Sequence, residues 1–212
     1  MAYDFDGTDD YIEALSAPAT AAPLTMACWF NVDNVTANHV LMSLTDGTDS
    51  NRFFLAAQGA AAGDPVRAST TGGGTTTQAN SATGFTANTW HHAVGRYNSA
   101  TNRRAYIDGV GGTTGTTNVT PTGIDEIMLG ATWTGGVRGA FTNGRIAEAA
   151  IWNVGLNDDE IASLADGFRP SLIRPSSLVF YAPLVREIAD YRGGISLTVS
   201  GALVAAHTRR IG

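Results

Sequence analysis

Retaining hydrolysis of a glycoside needs two carboxyl groups about 5–5.5 Å apart, one to protonate the leaving oxygen and one to attack. On a strand that means acids alternating on one face, as in Glu-x-Asp-x-Glu or Glu-x-Asp-x-x-Glu. Neither pattern occurs in the 212 residues. Asp125 and Glu126 are adjacent, so a strand sends them to opposite faces. Asp158, Asp159 and Glu160 follow Asn157 and are accounted for by a helix start. His91 and His92 are also adjacent and cannot share one metal from neighbouring strand positions, while His39 and His207 stand alone. No serine, histidine and aspartate cluster locally into a nucleophilic triad. These residues read as those of a chain that is not an enzyme.

Two stretches could bind rather than react. The run Asp6-Gly7-Thr8-Asp9-Asp10 offers several carboxylates and free carbonyls on one tight turn, which suits calcium. Asp6, Asp9 and Asp10 are the candidate ligands; the alternative is a plain Asx turn. Trp133 lies between Thr132 and Thr134-Gly135-Gly136 and is the one tryptophan placed in a loop. It is the candidate for stacking on a sugar, the alternative being a ring folded back on a sheet. Trp29, Trp90 and Trp152 lie in strand patterns and read as core or half-buried.

The elements that must position these groups are mostly strands. From Trp90 to Tyr97 the chain alternates: Trp90, His92 and Val94 face one way, His91, Ala93 and Tyr97 the other. Asp108-Gly109 then suits a type I′ hairpin, which needs two positive φ angles. Residues 25–32 alternate as cleanly, with Met26, Cys28, Phe30 and Val32 on one face. Cys28, the single cysteine, reads as a buried thiol, and no disulfide or zinc framework exists. Residues 58–88, rich in Ala, Gly and Thr, form either a binding loop or a glycine-joined pair of edge strands; residues 111–123 are similar. Residues 132–142 read as a loop. Asn157 with Glu160 three positions on is a variant capping box, so one helix runs from about Asp158 to Asp166 and stops at Gly167.

After Gly167 the texture changes. Pro170, Pro175 and Pro183 argue against helix and suggest an extended arm. The predicted division is a sandwich domain over residues 1–167 and a C-terminal arm over residues 168–212, packed on the sandwich, on a partner, or on both. Residues 1–167 carry 7 arginines against 17 acids; residues 168–212 carry 6 against 2; lysine is absent. An acidic body argues against nucleic acid. Residues 178–184 are expected to dock on the sandwich and the chain from Ile195 onwards to meet a partner, with Arg209 and Arg210 as contacts. No apolar run approaches the ~18 residues of a membrane helix, and the start lacks a basic segment and an apolar stretch, so no signal peptide is expected.

Four stretches, in order, resemble a laminin-G-like, concanavalin A-like jelly roll: residues 5–13; residues 24–32 around Trp29; Trp90-His91-His92 through Tyr106-Ile107-Asp108-Gly109; and residues 144–161 with Ile151-Trp152-Asn153. The resemblance implies an all-β, antiparallel two-sheet jelly-roll sandwich with one short helix and a C-terminal arm. It implies functions from glycan binding and adhesion to virion structure. It also brings Glu148 into the candidate calcium set, although Ala147 stands where relatives commonly carry Asp. No cofactor is required on this reading; a structural calcium is the candidate. Residues 178–184 resemble segments beside such domains in phage proteins. The leading expectation is therefore a non-enzymatic virion structural protein, made in the host cytoplasm. It would decorate a phage head or tail surface and adhere to glycans, with itself or other virion proteins as partners. The alternative is a carbohydrate-binding or adhesion module of a bacterial surface or secreted protein.

Overall fold

The computed structural model describes residues 1–207. In chain order its strands are β1 (Ala2–Asp6), β2 (Tyr11–Ala14), β3 (Leu24–Val32), β4 (Asn38–Thr45), β5 (Arg52–Gln58), β6 (Pro65–Gly72), β7 (Thr75–Gly84), β8 (His91–Ser99) and β9 (Asn102–Ile107). They continue with β10 (Val110–Gly111), β11 (Glu126–Leu129), β12 (Thr132–Thr134), β13 (Val137–Gly139) and β14 (Asn143–Trp152). Helix α1 (Asp158–Ala165) precedes β15 (Leu178–Ala182), β16 (Thr198–Ser200) and β17 (Leu203–Ala205). A first antiparallel sheet runs β10-β9-β8-β3-β14-β1-β17, with β15 also paired to β14. A second runs β16-β2-β11-β4-β5-β6-β7. The described residues form an all-β jelly-roll sandwich with one α-helix.

Alternation decides what each strand buries. Met26, Cys28, Phe30 and Val32 on β3 face the second sheet and meet Leu41, Leu55 and Phe180 in the main core. Ala93 and Tyr97 on β8 do the same, whereas Val94 faces outward. That outer face is a second apolar layer: Ala27, Val94, Ala150 and Trp152 pack beneath Ile161 and Leu164 of α1. The helix is fixed at its start. Asn157 accepts from the Glu160 amide and the Glu160 carboxylate accepts from the Asn157 amide. Asp158 takes bonds from Arg96, Arg104 and the Tyr106 hydroxyl at 2.7, 3.0 and 2.8 Å, which moors the helix to β8 and β9. Three partners hold Asp158 below the usual carboxylate range: burial raises it, and the Tyr106 and Arg96 bonds outweigh that.

Turn chemistry is as the sequence implies at Asp108 and Gly109, whose φ angles of 47° and 82° make the hairpin between β9 and β10. Residues 58–88 form the glycine-joined strand pair β6–β7. Residues 132–142 are not a plain loop: Gly135-Gly136 turns β12 into β13. Residues 111–123 are not a strand pair beyond Val110–Gly111. Arg103, only 1 % exposed, faces into the gap between β9 and β7. It donates to the Thr77 hydroxyl and to the Ala100 and Thr117 carbonyls at 3.0, 2.6 and 2.7 Å.

The C-terminal segment adds strands to both sheets. β15 pairs with β14, β16 with β2 and β17 with β1. Phe180, Ala182 and Leu184 are buried in the main core, as docking of residues 178–184 predicts. Ile195, Leu197 and Val199, in the stretch expected to meet a partner, are partly buried against the chain's own core, while Leu203 and Val204 are exposed. Pro170 and Pro175 open single 3₁₀ turns rather than hold an arm extended. Arg209 and Arg210 lie outside the described residues. Among the described residues no helix is long and apolar enough to cross a membrane.

Candidate functional site

The outer face of the first sheet carries, beyond the C-terminal end of α1, a cavity of about 670 Å³. Register builds its floor. Trp29 on β3 lies directly opposite His92 on β8, with ring centroids 5.2 Å apart. Ala147 on β14 lies opposite Trp29 on the other side. Strict alternation would send the next residue, Glu148, inward. A β-bulge between Ala147 and Ala150 instead leaves Glu148 on the outer face, at a positive φ of 53°. Glu148 is buried, takes the Tyr181 hydroxyl, and lines the cavity.

Trp90, just before β8, and Asp108, in the β9–β10 turn, form one wall; Leu164 to Phe168 at the end of α1 form the other. Trp29 and Trp90 are half-buried, and Phe168 is exposed at the mouth. His207 comes over the cavity from β17: its ring meets Trp90 edge-on at 4.2 Å and lies 6.4 Å from Trp29. Two indoles from distant stretches thus share one cavity with Asp108, Glu148 and Asp166.

His91 Nδ1 lies 2.7 Å from Asp108 Oδ2, and its Nε2 lies 3.1 Å from both the Thr86 amide and the Thr86 hydroxyl. Burial pushes His92 down to about 4, which leaves it neutral, and its buried Nδ1 has no hydrogen-bond partner. Asp108 also accepts the His92 amide at 2.8 Å. Burial raises Asp108, but the His91 and His92 bonds together hold it below the usual carboxylate range. Asp108 is therefore a charged carboxylate in the cavity wall.

The residues singled out by sequence lie elsewhere, Glu148 excepted. Trp133 sits on the β12–β13 hairpin by the second sheet, its Nε1 donating to Glu126 at 2.8 Å. The Arg138 guanidinium lies 4.9 Å from the Trp133 ring and forks onto Glu13 at 2.7 and 2.9 Å. Asp6, Asp9 and Asp10 do come together, with carboxylate oxygens within 4.8 Å of one another. Asp6 Oδ1 accepts the Thr8 and Asp9 amides, and Asp10 Oδ2 accepts the Asp6 amide, so the stretch is also an Asx turn. Three carboxylates fit part of the six to eight oxygens that calcium takes. The structure separates Glu148 from this trio, because the bulge turns it into the cavity. The signal available for the missed site was a large ring, Trp29, on the outward phase of β3.

The Laminin_G_3 family model, described as the concanavalin A-like lectin/glucanases superfamily, matches residues 6–162. No curated protein matches in sequence. Among solved structures, a Bacteroides ovatus protein assigned to carbohydrate binding superposes with a TM-score of 0.67 at 20 % identity, over 95 % of this chain. This chain spans 58 % of that protein's length. A heptameric SAP-like pentraxin from Limulus polyphemus gives 0.67 at 12 % identity, over 95 % of this chain and 93 % of its own. The CBM40 of the Ruminococcus gnavus IT-sialidase, bound to α2,3 sialyllactose, gives 0.62 at 16 % identity, over 78 % of this chain and 98 % of its own. Identities this low speak to the fold.

Proposed function

The chain belongs to the concanavalin A-like lectin/glucanase superfamily, and from that premise we propose that it is a glycan-binding or adhesion module whose saccharide sits in the cavity of Trp29 and Trp90. The observation that carries this reading is the convergence of two half-buried indoles with Asp108 and Asp166 in one concave site. The C–H face of a sugar ring packs on an indole, and its hydroxyls donate to carboxylates that fix its orientation. The carbohydrate ligands and assignments of the Bacteroides and Ruminococcus proteins support a glycan-binding role over decoration of a virion.

A glycan array probed with the wild-type chain and with Trp29→Ala tests this. The wild type should bind a restricted set of saccharides, and Trp29→Ala should weaken each by at least about tenfold. Because Trp29 faces outward and is only half-buried, the substitution should cost about 1–2 kcal/mol of stability. A cost of 3–5 kcal/mol would mark Trp29 as a core residue, and unchanged binding would remove it from the site.

The turn at residues 6–10 is proposed to hold a structural calcium through Asp6, Asp9 and Asp10. EDTA should then lower the melting temperature, and Asp9→Ala should abolish the response. A melting curve insensitive to EDTA would leave the turn as an Asx turn alone.

A further inference from the structure

Resting on the saccharide reading above, we propose that residues 201–207 are a strap that closes the cavity in cis, with the His207 ring standing where the saccharide must stack. The His207 ring centroid lies 4.2 Å from that of Trp90 and 6.4 Å from that of Trp29. Carbon atoms in contact are already about 3.5–4.0 Å apart, so no sugar ring fits between His207 and Trp90. A saccharide that packs on both indoles has to move His207 first.

The strap is lightly held. The chain leaves β16 on the second sheet, turns at Gly201 and joins the first sheet as its terminal strand β17. Register carries the row Val204, Tyr3, Ile146, Phe30 and His91 across five strands, so β17 ends level with the cavity. Ala202 packs in the main core, but Leu203 is 71 % and Val204 49 % exposed. An edge strand of three residues with its large side chains in solvent belongs to the low-stability end of a fold, where local opening costs little. The other end of the strap is a pivot. Gly201 has a φ of 72°, and a Cβ there would fall 1.6 Å from Asp10 Oδ1. Asp10 Oδ2 accepts the Asp6 amide at 3.0 Å, which keeps that carboxylate in place. The strap is thus seated on the turn at residues 6–10 and latched by His207. A ligand that needs the open form binds with an affinity reduced by the fraction of molecules that are open.

The test uses the full chain and the best saccharide from the glycan array, titrated by calorimetry. With about one molecule in ten open, His207→Ala should tighten binding about tenfold. Gly201→Ala lies outside the cavity and should tighten it too, because a strained pivot unseats the strap. In the wild type, amide hydrogen exchange at residues 203–205 should speed up on saturation with the saccharide, a readout that needs no variant. Unchanged or weaker binding by either variant, or slower exchange at residues 203–205 on saturation, would overturn the strap and leave the saccharide reading intact. Absence of binding by both the wild type and His207→Ala, together with a blank glycan array, would overturn both.

Discussion

Trp152→Ala is expected to cost about 3–5 kcal/mol of folding stability, measured by chemical denaturation. Among the described residues Trp152 is the largest fully buried side chain; it is the last residue of β14, on the outer face of the first sheet. It packs with Ala150, Ile161, Leu164 and Leu178, and its Nε1 donates to the Ile173 carbonyl at 2.8 Å. Removing the ring opens a cavity between sheet and helix and strips a half-buried carbonyl of its donor. Trp152→Phe should recover most of the packing but not the bond, and cost about 1–2 kcal/mol. The end of α1 is also one wall of the cavity proposed for the saccharide, so on that proposal the alanine variant should bind more weakly even where it remains folded. A loss below about 1 kcal/mol for Trp152→Ala would mean that the helix does not dock on this ring.

Local signals made most of the fold legible. Alternation on β3 and β8 fixed which residues face the second sheet, because a period of two leaves no freedom once one face is buried. Asp108-Gly109 and Asn157 with Glu160 declared their turn and cap through chemistry that acts over four residues. Residues 132–142 carried the same kind of signal in Gly135-Gly136, although the flanking strands of three residues were too short to show a period. β16 and β17 are equally short and pair with β2 and β1, which lie almost the whole chain away.

The site was harder to see. Trp29, Trp90, Asp108 and Asp166 come from four separated stretches, and only cross-strand register and helix docking bring them together. Glu148 depends on a bulge that reverses the face its position would otherwise take. Trp133 drew attention by its glycine-rich surroundings, yet those glycines make a hairpin that lays the ring against Arg138 and Glu126. Asp6, Asp9 and Asp10 were legible because the turn holding them is local. Family resemblance pointed as readily to virion decoration as to adhesion, because a fold does not choose among the functions it hosts.

The most direct measurement compares Trp90→Ala with Trp133→Ala, using the best saccharide from the array and calorimetric titration. Trp90 and Trp133 are both half-buried, but they lie by opposite sheets of the sandwich. Trp90→Ala removes one of the two indoles of the cavity and the ring against which His207 packs. It should lower the affinity by at least tenfold, a loss of about 1.4 kcal/mol or more in binding free energy. Trp133→Ala should leave the affinity within about twofold of the wild type. The reverse result, with binding lost in Trp133→Ala and kept in Trp90→Ala, would place the saccharide on the other sheet and contradict the account.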